Sequence, residues 1–499
     1  MDTITALREV AGKLPASPFL IEEKRTLSYR DVDRQSNSLA SGLGRLGVGK
    51  GDRVALYMNG ASEFVISRFG VQKLGAMIVP LNTRLSAAEI EHILTDCEPK
   101  CLIVEAALLG NVAERWRGRC VALGSEKFGL GRYEDLVGEG SDKNPDVGVS
   151  ADDVAMILYT SGTTGKAKGA VILHRNSMAS GQWLKSATQL SSRDVLLSCI
   201  PMYSASSMNG YLIASLLSGT PWVITEKFSP EEVLKKIEEK KVTVLHGSGA
   251  HHGLIASHPS YAERDVSSLR LLTWSNVLPL EMLKKMRARL PGIQFIQFYG
   301  MTETSPVGTH ISTAEMMERP ESCGKPTPGF SEIRVVDSGG KDVQPDAPGE
   351  ILIRTPGLMR EYFKNPAATR EAVRDGWFYT GDLGKLDRDG YLYIVGRVKD
   401  VINRGGEKIF APEVEAVLMS HPAVQDAAIV GIAHPVLGEE IKAFVVKRPG
   451  MEVAAEELRQ HCQGKLAPFK IPKAVEFRSE LPKNAMGKTL KYLLKEGKA

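Results

Sequence analysis

The stretch YTSGTTGKAKG (159–169) decides how the chain is read. It follows VAMILYT (154–160), an apolar run of the length and composition of a buried strand. Ser161, Gly162, Thr163, Thr164, Gly165 and Gly169 gather around Lys166 and Lys168. A loop of this kind turns tightly and exposes backbone N–H groups and hydroxyls, and its lysines add positive charge. It is therefore expected to cradle phosphate oxygens. The pattern G-x4-G-K-[ST] cannot be laid on these residues, so this is not a Walker A loop.

Outward from this loop the chain alternates between short apolar runs and helical patterns. RVALYM (53–58), AMIVPL (76–81), VLLSCI (195–200), WVITE (222–226), VTVLHG (242–247) and IQFIQFYG (293–300) read as strands, and SEFVISRFGVQKLG (62–75) reads as a helix ended by Gly75. Strands alternating with helices imply parallel βαβ units in a doubly wound α/β architecture, with ligands beyond the carboxyl ends of the strands. After about residue 325 the texture changes to short strands and turns: EIRVVDSGG, GEILIRTPG and GYLYIVGRVKD. These predict an antiparallel, barrel-like portion. From about residue 400, EVEAVLMSH reads as a helix and AAIVGIA and IKAFVVK read as strands, enough for a small α+β domain. No low-complexity linker marks the junction, which suggests an ordered hinge.

Composition narrows the classes. The 499 residues exceed one ordinary domain, and 43% apolar content supplies ample core. A balance of 63 Lys+Arg against 59 Asp+Glu leaves a formal charge of only +4, with no concentrated basic face or tail to suggest a nucleic-acid partner. Six cysteines in so long a chain argue against a disulfide framework and fit a reducing cytoplasm. Cys97 and Cys101 have no second pair at zinc spacing. The N-terminus lacks a secretion-signal pattern, and no run approaches the roughly 18 apolar residues of a transmembrane helix. Monomer and homodimer are both left open.

Five segments, in one order along the chain, carry a resemblance. The loop at 159–169, FYGMTE (298–303), GWFYTGDLG (376–384), GRVKDVINRGGEKIFAPEVE (396–415) and PKNAMGKTLK (482–491) resemble the phosphate loop, Y-G-x-T-E segment, T-G-D segment, hinge and C-terminal lysine motif of the adenylate-forming superfamily. KLGAMIVPLNTRL (73–85) also looks like that family, so the resemblance covers nearly the whole chain. It implies an N-terminal AMP-binding domain over 1–397 and a mobile C-terminal domain over 398–499. It also implies an ATP-dependent acid–CoA ligase: a fatty or aryl acid becomes acyl-AMP with release of pyrophosphate, and domain rotation then allows acyl-CoA to form. ATP, CoA and the acid are the small-molecule partners, with Mg²⁺ as cofactor.

The resemblance also implies roles for particular residues. Lys488 would bridge the attacking carboxylate and the α-phosphate. Glu303 would hold Mg²⁺, a hard carboxylate for a hard cation. Thr302, Thr160, Ser161, Gly162, Thr163, Thr164, Gly165, Lys168, Tyr299 and Gly300 would surround the nucleotide, with Tyr299 over the adenine. Asp382 would accept the ribose hydroxyls, with Arg397 beside it. Lys399 would be the hinge, and Gly405, Gly406 and Glu407 would approach the pantetheine tunnel.

The departures cluster where the acyl group should lie. Many acyl-CoA synthetases carry P-[LM]-[FY]-H, with the His beside the carboxylate and the thiol route; PMYSASSMNG (201–210) puts Ser204 there. SGA (248–250) replaces V-P-T, SNVLP (275–279) replaces G-G-A-P, and Ala167 replaces a common Pro. Tyr203, Ser204, Ser206, Ser207, His246, Ser275 and Asn276 become acyl-site candidates. Two readings stay open: drift in an ordinary ligase, or a site for a polar acid, with His246 either a site group or a packed core histidine. The alternatives to a CoA ligase are a stand-alone enzyme that loads a carrier protein, a luciferase-like oxygenase, and a non-catalytic nucleotide-binding homologue.

Overall fold

The run VAMILYT forms the strand Val154–Thr160, with Ala155 to Leu158 all buried. Both faces of its sheet are covered, which is why the sequence is continuously apolar rather than alternating. A computed structural model of the chain describes residues 1–124, 128–160, 167–275, 277–278, 280–404, 407–483, 487 and 489–495. By internal contacts these divide into two compact units, Met1–Ile333 with Ile353–Phe378, and Arg334–Leu352 with Tyr379–Ala499.

The first unit holds two large sheets. One runs Glu361–Tyr362, Lys168–Leu173, Val154–Thr160, Met77–Pro80, Arg53–Tyr57, Cys101–Glu105, Cys120–Leu123 and Gly131–Arg132. Its strands from Met77–Pro80 onward pair in parallel, as the alternating texture predicts. Val154–Thr160 and Lys168–Leu173 are instead antiparallel, with Tyr159 opposite Gly169 and Thr160 opposite Lys168. The phosphate-loop segment therefore closes a hairpin, not a strand-to-helix crossover.

The other sheet, of nine strands, has a parallel core that includes Leu196–Ser198, Val244–Ser248, Leu271–Ser275 and Gln294–Tyr299. Helix Ser62–Lys73 is buried at every residue but Glu63, and Ser28 and Ser86 close capping boxes on the helices Tyr29–Arg45 and Ala87–Cys97. Such caps satisfy otherwise orphaned N–H groups and contribute about 1 kcal/mol each.

The barrel-like texture becomes a half-barrel of Glu332–Val336, Gly349–Arg354, Trp377–Leu386, Val373–Arg374 and Leu392–Arg397. The small C-terminal sheet contains Val401–Arg404, Glu407–Phe410, Val424–His434, Gly438–Lys447 and Ala474–Arg478. Its core includes Ile402, Val414, Leu418, Ile429, Ile441 and Val445, with helices Ala411–Met419 and Ala455–Cys462 contributing Val414, Leu418 and Leu458. No helix among the described residues is long and apolar enough to cross a membrane.

Candidate active site

Three adjacent parallel strands deliver candidate residues at their carboxyl ends. Ser248 is in register with Ser275, and Ser275 with Phe298, so Tyr299 follows at the same edge. Neighbouring strands lie roughly 4.8 Å apart, which places residues distant in sequence side by side. Beyond Tyr299 the chain must pass under Pro306: a Cβ on Gly300 would lie 1.9 Å from the Pro306 carbonyl oxygen, which only glycine avoids. The short 3₁₀ turn Thr302–Thr304 follows, pinned where the Met301 N–H donates to Thr304 Oγ1 at 3.2 Å. The Glu303 carbonyl accepts the Met359 N–H at 2.7 Å, so the turn is also tied from outside.

Glu303 and Lys168 meet at Tyr362. Strand Glu361–Tyr362 pairs with the return strand of the hairpin, with Tyr362 opposite Ala170. The Tyr362 hydroxyl donates to Glu303 Oε1 at 2.9 Å. The Lys168 ammonium lies 5.1 Å from the centroid of the same ring, a cation–π arrangement. Burial and the adjacent Glu303 carboxylate push the Tyr362 phenol well above its ordinary range. A phenol held protonated in this way donates to the carboxylate and fixes its direction. The donor chemistry at Glu303 fits Mg²⁺, an ion usually held by one or two carboxylates together with substrate phosphates. Tyr362 carries no local signal in REYFKNP; only the long-range strand pairing reveals it.

The acyl-site candidates are partly assembled. Ser204 and Ser206 are half-buried and their hydroxyl oxygens are 3.2 Å apart. The Ser207 N–H donates to Ser204 Oγ at 3.2 Å, and its hydroxyl donates to the Ile200 carbonyl at 3.1 Å. Ser206 begins a π-helical turn, Ser206–Tyr211, a conformation frequent at functional sites. His246 is buried and stacks on Tyr211 with ring centroids 4.1 Å apart. Burial pushes its pKa down to about 3, so the ring is neutral near pH 7. Tyr203 is buried with a hydroxyl that has no hydrogen-bond partner. Ser275 is exposed. Ser248, one strand over, caps the helix Gly249–Ser257 through a capping box with His251.

In the second unit Asp382 and Arg397 face each other across an antiparallel pair, with Arg397 Nε 2.9 Å from Asp382 Oδ1. The Asp382 N–H donates to Thr380 Oγ1 at 3.0 Å, and Gly381, at φ +69°, donates its N–H to Glu350 Oε1 at 3.1 Å. The left-handed conformation at Gly381 is why a glycine stands between the Thr and the Asp. Lys399 is exposed on the 3₁₀ turn Val398–Asp400. Glu407 is exposed and opposite Arg404. Arg404 pairs with Glu440 at 2.7 Å, holding that carboxyl below its ordinary range. Ser161, Gly162, Thr163, Thr164, Gly165, Lys166, Asn276, Gly405, Gly406 and Lys488 lie outside the described residues. Thr160 is described, and its hydroxyl donates to the Lys168 carbonyl at 3.4 Å.

Three buried histidines give the first unit an acid-sensitive core. Burial lowers His174 to about 4, His246 to about 3 and His252 to about 4. Their unfolded forms titrate near 6.5, so stability is complete above that pH and is lost as pH falls toward 4. The unfolded chain binds more protons in that window, at roughly 1.4 kcal/mol per pH unit for each histidine. Thermal melts between pH 7.5 and 4.5 should show a steep fall in Tm, flattened in His246→Gln. A level profile would contradict neutral burial of these rings.

The Tyr-Gly-x-Thr-Glu turn follows the carboxyl end of a parallel strand in the first unit, and the Asp–Arg pair lies in the second. The family described as AMP-binding enzyme matches residues 7–363, and its C-terminal domain matches 413–488. The chain is 35% identical to a feruloyl-CoA synthase of Amycolatopsis sp. over 93% of its length and 92% of the relative's. It is 33% identical to the indoleacetate–CoA ligase of Aromatoleum aromaticum, over 96% and 95%. It superposes on the o-succinylbenzoate coenzyme A synthetase of Bacillus subtilis bound to ATP and magnesium with a TM-score of 0.87, at 30% identity, covering 98% of this chain and 99% of that one.

The chain belongs to the adenylate-forming acyl-CoA synthetases, within the AMP-binding enzyme family. It is an AMP-forming acid–thiol ligase: it converts a carboxylic acid to acyl-AMP and then to acyl-CoA, with ATP and CoA as co-substrates and Mg²⁺ as cofactor.

Proposed function

We propose that this ligase acts on an aromatic acid, through the residues assigned above by resemblance. The observation that carries the site assignment is the convergence of Lys168, Tyr362 and Glu303, which sets a cation and an oriented carboxylate beside the phosphate-loop hairpin. A carboxylate is a poor acyl donor because oxide would have to leave; adenylation supplies a better leaving group. Attack on the α-phosphate brings anions together, so positive charge and fixed donors must meet the charge that develops.

Lys168 and the hairpin hydroxyls would meet phosphate oxygens, and Thr302 would add a hydroxyl. Tyr299 would cover the adenine. Asp382, acceptor-only when ionised and steered by Arg397, would take the ribose hydroxyls. Bound at Glu303, Mg²⁺ would neutralise phosphate charge. Lys488 would join the carboxylate to the α-phosphate, and rotation near Lys399 between domains 1–397 and 398–499 would exchange it for the segment from Gly405 to Glu407. Six buried cysteines, none of them in a disulfide, support a reducing cytoplasm.

The aromatic preference is supported by the feruloyl and indoleacetate ligases among the relatives, and by the aromatic pair Tyr211 and His246 behind the serine segment. Pyrophosphate release should be measured with ferulate, indole-3-acetate, benzoate, octanoate and palmitate, each with and without CoA. An aryl acid should lead by at least tenfold in kcat/KM and yield acyl-CoA. A lead by palmitate or octanoate would overturn the aromatic assignment. Acyl-AMP that passes only to a phosphopantetheinyl carrier would replace CoA as acceptor.

A further inference from the structure

Helix Ser62–Lys73 carries a cation into the interior of the first unit. Arg68 is fully buried, on a helix whose Phe64, Val65, Ile66, Phe69 and Val71 belong to the hydrophobic core. Its Nη1 donates to the Met208 carbonyl and lies 3.5 Å from Met208 Sδ. Nε and Nη2 have no hydrogen-bond partner. Among the described residues no carboxylate pairs with this guanidinium, and burial is the one influence on its charge. The Phe69 ring, with its centroid 5.8 Å from Cζ, faces the group without taking either free N–H edge.

The unpaired nitrogens form a set. In a guanidinium the Nε–H and one Nη2–H point the same way, as the fork that grips an anion with two parallel hydrogen bonds. The remaining nitrogen, Nη1, is the one tied to the Met208 carbonyl. The fold thus anchors Arg68 by one corner and leaves its anion-binding edge free.

The surroundings add polar atoms but no countercharge. Met208 lies in the π-helical turn Ser206–Tyr211. The next residue, Asn209, is fully buried; one end of its amide meets Ser177 Oγ at 2.8 Å and the other end has no partner. Ser180, one turn beyond Ser177 on helix His174–Thr188, is fully buried with an unpartnered hydroxyl, which lies 3.8 Å from where a Cβ on Gly210 would stand. His174, at the start of that helix, is buried with Nε2 unpartnered and feels Arg68 as a nearby positive charge.

A buried charge without a partner is among the costliest features a core can hold. Burial pushes Arg68 down only to about 9, so it stays protonated at pH 7. Water would satisfy its N–H groups and leave the charge uncompensated; an anion does both. One positive charge in an apolar shell suits a small monovalent ion. A divalent oxyanion would leave a net negative charge in the core and lose more hydration on entry. We propose that the Nε/Nη2 edge of Arg68 holds a small monovalent anion of the chloride class, enclosed by helix Ser62–Lys73, helix His174–Thr188 and the turn Ser206–Tyr211. The site does not depend on which acid the enzyme activates.

The test is thermal melting of the full-length protein over about a hundredfold range of chloride, with gluconate, too large for the site, holding ionic strength constant. An ion that binds only the folded chain raises Tm with concentration; the expected rise is about 3 °C or more. Arg68→Met, which replaces the lone cation with an apolar side chain of similar length, should fold and show no difference between chloride and gluconate. Equal melting of the wild type in the two salts would overturn the proposal. So would a chloride response that persists undiminished in Arg68→Met, which would place the ion elsewhere. Crystals of the wild type grown in bromide give a measurement that needs no variant. An anomalous peak within hydrogen-bond reach of both Arg68 Nε and Nη2 is expected, and a water or no density at that place would overturn the proposal.

Discussion

Lys488→Ala is expected to reduce acid-dependent pyrophosphate release by roughly 10²- to 10³-fold, the loss typical of removing one preorganised charge or donor from a transition state. The same variant should still pass the acyl group of supplied acyl-AMP to CoA at close to the wild-type rate. The split follows from the chemistry. A lysine ammonium is a compact charge on a long stem, suited to drawing a carboxylate and an α-phosphate together. Once acyl-AMP exists, that repulsion has been overcome, and the thiol attacks a neutral acyl carbon. Single-turnover measurements of the two half-reactions decide the matter. Equal losses in both would show that Lys488 is not specific to the adenylation step.

Glu303→Gln should have the second large effect, lowering kcat/KM roughly 10²-fold or more and raising the Mg²⁺ concentration needed for half-maximal rate. The substitution isolates charge from shape. The glutamine carbonyl can still accept the Tyr362 hydroxyl that now bonds Glu303 at 2.9 Å, so the tie between the turn and the edge strand survives. A thermal midpoint near wild type with activity lost would assign Glu303 to the metal and phosphates. A variant with full activity and an unchanged Mg²⁺ titration would remove it from the site.

These residues differ in how far the sequence exposed them. VAMILYT and RVALYM could be recognised as strands because a segment covered on both faces must be apolar at every position, and both are strands here. The antiparallel return of Lys168–Leu173 was masked by the general alternation of strand and helix, although the loop between the two strands is too short for the dozen or more residues of a parallel crossover. Tyr362 had no local mark, because its contacts with Lys168 and Glu303 arise from tertiary pairing. The ion pair of Asp382 and Arg397 follows only once the two strands are in register. The serines and His246 advertised polarity, but composition does not say whether polar groups face a ligand or each other. In the folded chain Ser204 and Ser206 lie within hydrogen-bond distance of each other, and Ser206 of His246.

The pairing of Glu361–Tyr362 with Lys168–Leu173 also bears on biosynthesis. KGAVIL is short, apolar and β-branched, and until residue 362 has emerged from the ribosome one side of it is an unpaired ladder of N–H and C=O groups. Such an edge invites association with a neighbouring chain. The strand that finally covers it is two residues long, carries Glu361 and is flanked by Arg360 and Lys364, charges that discourage further pairing. The segment that orients Glu303 is therefore also the one that seals the sheet, so a nascent chain fixes this carboxylate at the moment it ceases to be a template for aggregation.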